Sequence, residues 1–236
     1  MTTITDTNNR TDYWESFLTF IFSLVLGITG GLVLLGTGWV LTNTAAGATL
    51  VNALAITEKT PWYFTRSAGT VAYLLLASST IWGLLLSTKL IKDMVPAALA
   101  LAMHNILSWL AVLLTGLHAL ALLGDSFYTY TLADLTIPFI GPYQPGWVGL
   151  GIIGFYLMFL VSLSFNFRKQ IGQKRWRQLH YASFAVYILA TVHGAMAGTD
   201  SGNLGMQILY WGSGLIVLFL TNFRMLTGKG NRTARA

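Results

Sequence analysis

Of 236 residues, 54% are hydrophobic and only 9% charged, where an ordinary soluble domain carries about 25% charged residues. Cysteine is absent, which excludes disulfides, thiol chemistry, iron–sulfur clusters and haem attached through C-x-x-C-H. The net charge of +6 would suit nucleic acid, but nearly every charge lies in a short loop between long apolar runs. The partner implied is membrane lipid, and no nucleic acid is expected.

Six apolar segments follow one another: 17–41, 68–88, 96–123, 146–166, 178–199 and 204–226. Each is long enough to cross a hydrocarbon core about 30 Å thick as a helix. The expected fold is all-α, a six-helix transmembrane bundle over 17–226, with tails at 1–16 and 227–236. Asp6, Asp12 and Glu15 precede the first run, which reads as a retained span; a small-residue stretch at Thr44–Ala48 leaves a cleaved signal peptide as the alternative. Ala45–Ile56 is apolar but too short to span, so it reads as an interfacial or re-entrant piece. Pro96 falls in the first turn of the third segment, where its missing N–H does no harm. Twelve of the 14 lysines and arginines fall on one side of this layout, including Arg168, Lys169, Lys174, Arg175 and Arg177; only Lys59 and Arg66 fall on the other. The positive-inside rule then puts both termini in the cytoplasm, as for a multi-pass protein of a prokaryotic cytoplasmic membrane. The sequons at Asn9 and Asn231 lie on that side and read as chance matches.

All four histidines lie in apolar segments and form two sets: His104 and His118 on segment three, His180 and His193 on segment five. The first two are 14 residues apart and the second two 13, or roughly 20 Å along a helix. Both segments run outward from the cytoplasm, so His104 and His180 share an inner level and His118 and His193 an outer one. Helical phase is mixed. A 14-residue step ends about 40° short of four turns, so His104 and His118 share a face, whereas a 13-residue step ends about 140° short. Either two cofactors lie on different sides of segment five, or that helix is locally over- or underwound. Imidazole is a good iron ligand, and intramembrane histidines are rare and costly. Two stacked haems, each needing two axial ligands and an apolar slot, fit this pattern between segments three and five. The competing reading is four separate buried histidines bonded to backbone or hydroxyls of neighbouring helices. Zinc would need further Cys, Asp or Glu ligands that no span supplies nearby.

Weaker signals surround the histidines. Gly83, Gly116, Gly149, Gly151, Gly154 and Gly194 suit a macrocycle's close approach, but equally suit helix packing. Trp109 and Tyr187 sit between the two levels. Arg66 opens segment two at the outer side, suited to a propionate or a small anion, or to an interfacial anchor. Arg175, Trp176 and Arg177 precede His180 and suit inner propionates, an acidic donor protein or simple topology. Asp125, Asp134 and Asp200 give the outer side some acidity.

Three stretches resemble one family. Arg66-Ser67-Ala68-Gly69 before Val71-Ala72-Tyr73-Leu74-Leu75-Leu76, then Trp176-Arg177-Gln178-Leu179-His180-Tyr181, and Val192-His193-Gly194 leading to Gly198-Thr199-Asp200-Ser201-Gly202 are similar to ferric reductase-like transmembrane domains. That domain is shared by ferric reductases, NADPH oxidases and the haem membrane subunit of a periplasmic methionine sulfoxide reductase system. The resemblance runs from about Arg66 to Gly202. It implies two non-covalent b-type haems, the inner held by His104 and His180 and the outer by His118 and His193, with Arg66 near the outer haem edge. Asn105 departs from the arginine or similar polar residue often found after the first histidine.

The expected function is transmembrane electron transfer from a cytoplasmic-side or membrane donor to an outer-face acceptor. No flavin or nicotinamide site is expected within this chain, because such domains need a Gly-rich phosphate loop and far more chain than follows the sixth segment here. The donor is then a separate reductase, ferredoxin, flavodoxin or quinol. The acceptor is a ferric chelate, oxygen or a partner enzyme, and the chain is an oxidoreductase subunit only in that sense. Two alternatives remain: an accessory haem subunit of a larger respiratory or photosynthetic complex, and a cofactor-free transporter or scaffold.

Overall fold

The computed structural model describes residues 57–233 except Asp93, with side chains as far as Thr227, and between residues 36 and 49 only Gly36, Trp39, Asn43–Ala45 and Gly47–Thr49. The expected first span, apart from Gly36 and Trp39, therefore lies outside the described residues, as does the tail at 1–16; of the stretch Thr44–Ala48 behind the signal-peptide alternative, all but Ala46 is described. The chain divides into two compact units, residues 1–57 and 58–236. In the first, the carbonyl of Thr44 accepts from the Ala48 N–H at 2.9 Å and its hydroxyl from the Gly47 N–H at 3.0 Å. That is one capped helical turn within the stretch expected to be interfacial.

The second unit is helical, and no strand occurs among the described residues. Its helices are α1 (Thr60–Thr88), α2 (Ala97–Ala121, with a 3₁₀ turn Leu122–Gly124), α3 (Leu132–Thr136), α4 (Pro145–Ser164), α5 (Arg168–Ile171), α6 (Gln173–His180), α7 (Ala182–Ala197) and α8 (Leu204–Thr233). Four are long and apolar enough to cross a membrane: Thr60–Thr88, Ala97–Gly124, Pro145–Ser164 and Leu204–Thr227. They suggest an integral membrane protein. Proline pre-sets the start of α1 and α4 at Pro61 and Pro145, and Pro96 is the N-cap of α2 rather than part of its first turn. Helix α1 begins eight residues before the expected segment two, so Arg66 lies in its second turn instead of opening it.

The expected segment five is two helices. Tyr181 lies between α6 and α7, and its N–H reaches both Arg177 O at 3.3 Å and Gln178 O at 3.2 Å. The Phe184 N–H in turn bonds Tyr181 O at 3.1 Å. The bonds to Gln178 O and Tyr181 O span three residues rather than four and overwind the chain, advancing phase by about 20° more per residue than an α-helix. Three residues recover about 60° of the 140° by which His180 and His193 were expected to miss a common face. Helix α7 alone, at 16 residues, rises about 24 Å.

Helix α1 packs against α2, α7 and α8, while α4 packs against α2 and α7. Helices α1, α2, α4 and α7 thus form a ring with α2 and α7 on its diagonal, and α8 lies outside α1. Large apolar side chains face outward, such as Leu113 (56% exposed), Leu160 (54%) and Trp211 (75%). Small or hydroxylated residues are buried instead: Ala77, Ala100, Ala111, Thr65, Ser79 and Ser213. In hydrocarbon there is no gain from hiding leucine, so close packing and hydrogen bonds hold the helices together. The Tyr73 hydroxyl lies 3.0 Å from Ser213 Oγ and 3.1 Å from Thr191 Oγ1, and the Tyr187 hydroxyl lies 2.8 Å from Ser213 Oγ. This cluster ties α1, α7 and α8 together. Replacing Tyr73 by Phe removes the shared hydroxyl and should cost about 0.6–1.7 kcal/mol, read as a lower unfolding midpoint in detergent with the fold retained.

Candidate functional site

Histidines from α2 meet histidines from α6 and α7 across the diagonal of the ring. The His104 and His180 ring centroids are 6.0 Å apart with planes at 77°, and those of His118 and His193 are 6.3 Å apart, also at 77°. The side chains grouped by level in the sequence are the ones brought together. The two levels are 14 residues apart on α2, about 21 Å of helix. Each pair lines its own cavity. One of about 330 Å³ holds His104 and His180 among Gly83, Ser108, Arg177 and Arg224. The other, of about 610 Å³, holds His118 and His193 among Arg66, Gly69, Gly151 and Asp200. Both volumes fall within the roughly 300–1,000 Å³ of small-molecule and cofactor sites.

Three of the four imidazoles are oriented by a backbone carbonyl. His104 Nδ1 lies 3.0 Å from Ser79 O, His118 Nδ1 2.7 Å from Thr65 O, and His193 Nδ1 3.0 Å from Trp147 O. A carbonyl only accepts, so each Nδ1 carries the proton and donates it. Each Nε2 is then the unprotonated nitrogen, with a lone pair free for a ligand. The reading of separate, satisfied histidines accounts for the Nδ1 bonds but not for two pairs of rings brought to about the same separation and angle. His180 differs. Its ring has no hydrogen-bond partner among the described residues and stacks on Trp176 at 5.1 Å and 26°. Trp176 Nε1 is itself a buried donor with no hydrogen-bond partner among the described residues.

Arg66, expected near the outer level, is held by Asp200: Nε donates to Oδ2 at 2.8 Å and Nη2 to Oδ1. Its guanidinium carbon also lies 4.2 Å from the centre of the Trp62 ring. The pair joins α1 to the turn after α7, although the residues are 134 apart in sequence. The acidity expected of this end is therefore engaged locally. Asp134 forms a capping box with Thr131, and Asp125 Oδ1 accepts from the Phe127 N–H at 2.6 Å. Of the residues between the levels, Tyr187 belongs to the hydroxyl cluster. Trp109 packs beside Ala111, Val112 and Met158.

The carbonyls of Thr65, Ser79 and Trp147 have no side-chain signature, so the sequence gives no sign of them by residue type. A spacing does. Gly69 and Gly83 stand 14 apart on α1, as do His118 and His104 on the antiparallel α2. Among the described residues, no three or more His, Asp or Glu side chains gather as a metal-binding group. No family model, curated protein or solved structure matches the chain.

The hydrogen bond from Arg66 holds the Asp200 carboxyl below its ordinary range, against a smaller opposing effect of burial. A lowered carboxyl contributes stability that is present above the unfolded value and lost as pH falls through the folded one. The melting-temperature gap between the native chain and Asp200→Asn should therefore be open at neutral pH and close below about pH 4. The gap should be small, because both side chains are about a quarter exposed.

Proposed function

We infer that the chain is a transmembrane electron carrier that binds two b-type haems, one between His104 and His180 and one between His118 and His193. The observation that carries this reading is the separation of the paired rings. An imidazole centroid lies about 1.1 Å from its ligating nitrogen, and a metal–imidazole bond is about 2.0 Å. Two imidazoles on one iron thus have centroids about 6.2 Å apart, and the observed values are 6.0 and 6.3 Å. The two-ligand sets also suit a metal that arrives with four nitrogens of its own, where bare zinc would lack half its ligands.

The residues present fit such a group. Nδ1 donation leaves Nε2 of His104, His118 and His193 available, and fixes ring orientation before binding. The orphan Trp176 N–H beside His180 is a donor without an acceptor, as a haem propionate would require. Arg177 and Arg224 line the same cavity and can each pair with a carboxylate; Arg66 lines the other, where it is already held by Asp200. A bound haem supplies one-electron exchange between ferric and ferrous iron. The protein's part is to hold two such groups at opposite depths in apolar walls, without acid–base chemistry.

The orientation follows the loop charges. The His104–His180 pair lies at the arginine- and lysine-rich end and is the inner one, so electrons enter there from a cytoplasmic or membrane donor. They leave at the His118–His193 end for an acceptor outside. In this reading the chain is a ferric reductase-like haem core in a cytoplasmic membrane.

Pyridine haemochrome analysis of purified protein should give two b-type haems per chain, with low-spin reduced-minus-oxidised spectra. Changing either member of one pair to alanine should remove one haem. Changing one member of each pair should remove both. A colourless, well-folded wild-type protein would sink the reading and leave a cofactor-free transporter or scaffold.

A further inference from the structure

The three carbonyls that accept from histidine share one feature: the residue four positions later is glycine. Thr65 is followed by Gly69, Ser79 by Gly83 and Trp147 by Gly151. In an α-helix the carbonyl of residue i already accepts from the N–H of i+4, and the side chain of i+4 leans back over that carbonyl. Where i+4 lacks a Cβ, a ring from another helix can lie directly over that carbonyl and donate to its second lone pair. The contacts are close. A Cβ on Gly69 would lie 2.8 Å from His118 Nδ1, one on Gly83 3.0 Å from His104 Cε1, and one on Gly151 2.8 Å from His193 Nδ1. His180 has no such notch. Fourteen residues after Gly151 comes Phe165, where α4 has ended, and its ring packs edge-on against Trp176 at 6.0 Å.

We propose that Gly69, Gly83 and Gly151 are positioning residues which give the outer pair two carbonyl-bound imidazoles and the inner pair only one, so that the inner haem has the higher midpoint potential. The proposal rests on the haem reading above. A hydrogen bond from Nδ1–H raises the basicity of the ligating nitrogen, which favours ferric over ferrous iron and lowers the potential. Charge acts in the same direction. Arg177 and Arg224 line the inner cavity, whereas Arg66 at the outer one is matched by Asp200. The inner site therefore retains an electron at rest and passes it outward when an acceptor draws it.

Equilibrium redox titration of the haem-loaded protein, followed optically, tests this. Two one-electron waves are expected. His180→Ala should leave only the lower wave and His193→Ala only the higher. Gly69→Ala and Gly151→Ala should raise the lower wave, and Gly83→Ala the higher one. Each shift should be about three- to tenfold in the ferric/ferrous ratio, or up to about 59 mV. Gly212→Ala is the control, since a Cβ there meets nothing within 4 Å. Wild-type waves that coincide or run in the opposite order would overturn the proposal, as would alanine variants that shift no more than Gly212→Ala. Should Gly69→Ala or Gly151→Ala not accumulate, the wild-type order and Gly83→Ala decide it. A wild-type protein without haem would instead overturn the parent reading, and this one with it.

Discussion

A backbone carbonyl inside a membrane helix is already engaged by the helix, yet it keeps a second lone pair that hydrocarbon cannot satisfy. In this protein three of those lone pairs are taken by imidazole N–H groups from a neighbouring helix. Much of the bundle follows from that contact. It requires α1 close enough to α2, and α4 close enough to α7, for a ring to sit where a Cβ would otherwise be. It fixes antiparallel register to the residue, because a slip of one position would set each imidazole against a side chain. It also leaves Nε2 of His104, His118 and His193 without the proton, on rings that line the two cavities.

Among the described residues the interior is mostly apolar, with alanine its commonest residue, and a few buried hydroxyls tie the helices together. Leucine gains nothing by leaving lipid, so Leu113 and Leu160 face outward while Thr65, Ser79 and Ser213 are buried. The hydroxyl cluster on Tyr73, Tyr187, Thr191 and Ser213 fastens α8 to a ring that is closed without it. The Arg66–Asp200 pair fastens the turn after α7 to α1 at one end. Neither touches the histidine rings directly; both hold the helices that do.

Hydropathy made α2, α4 and the start of α8 legible to within a few residues, since the prolines at 96 and 145 mark where two of those helices begin. It failed at α1, which starts at Thr60 and not near residue 68. A window of hydropathy sees Arg66 as a boundary. In the fold its charge is matched by Asp200, 134 residues away, so the helix continues through it. The two-helix make-up of segment five was legible only as a phase conflict. No proline or glycine marks Tyr181; the 13-residue spacing of His180 and His193 required a change in winding that sequence could not locate. The pairing of the histidines by level needed only loop charges and helix rise. Their carbonyl partners needed three-dimensional contact, although the repeated spacing of Gly69 and Gly83 carried part of that information.

The break at Tyr181 gives the two ends of the bundle different mechanical characters. His104, His118 and His193 sit on long helices, each pinned by a carbonyl of the adjacent helix. His180 is the last residue of a helix of eight residues, reached through Gly172 at a φ of 86°, a conformation in which glycine is the least strained residue. Lys174, Arg175 and Arg177 lie on that same short helix, and Trp176 from it stacks on the His180 ring. The same indole meets the Phe165 ring edge-on at 6.0 Å, at the end of α4. The fourth imidazole is therefore held by aromatic contact, where the other three are held by carbonyls.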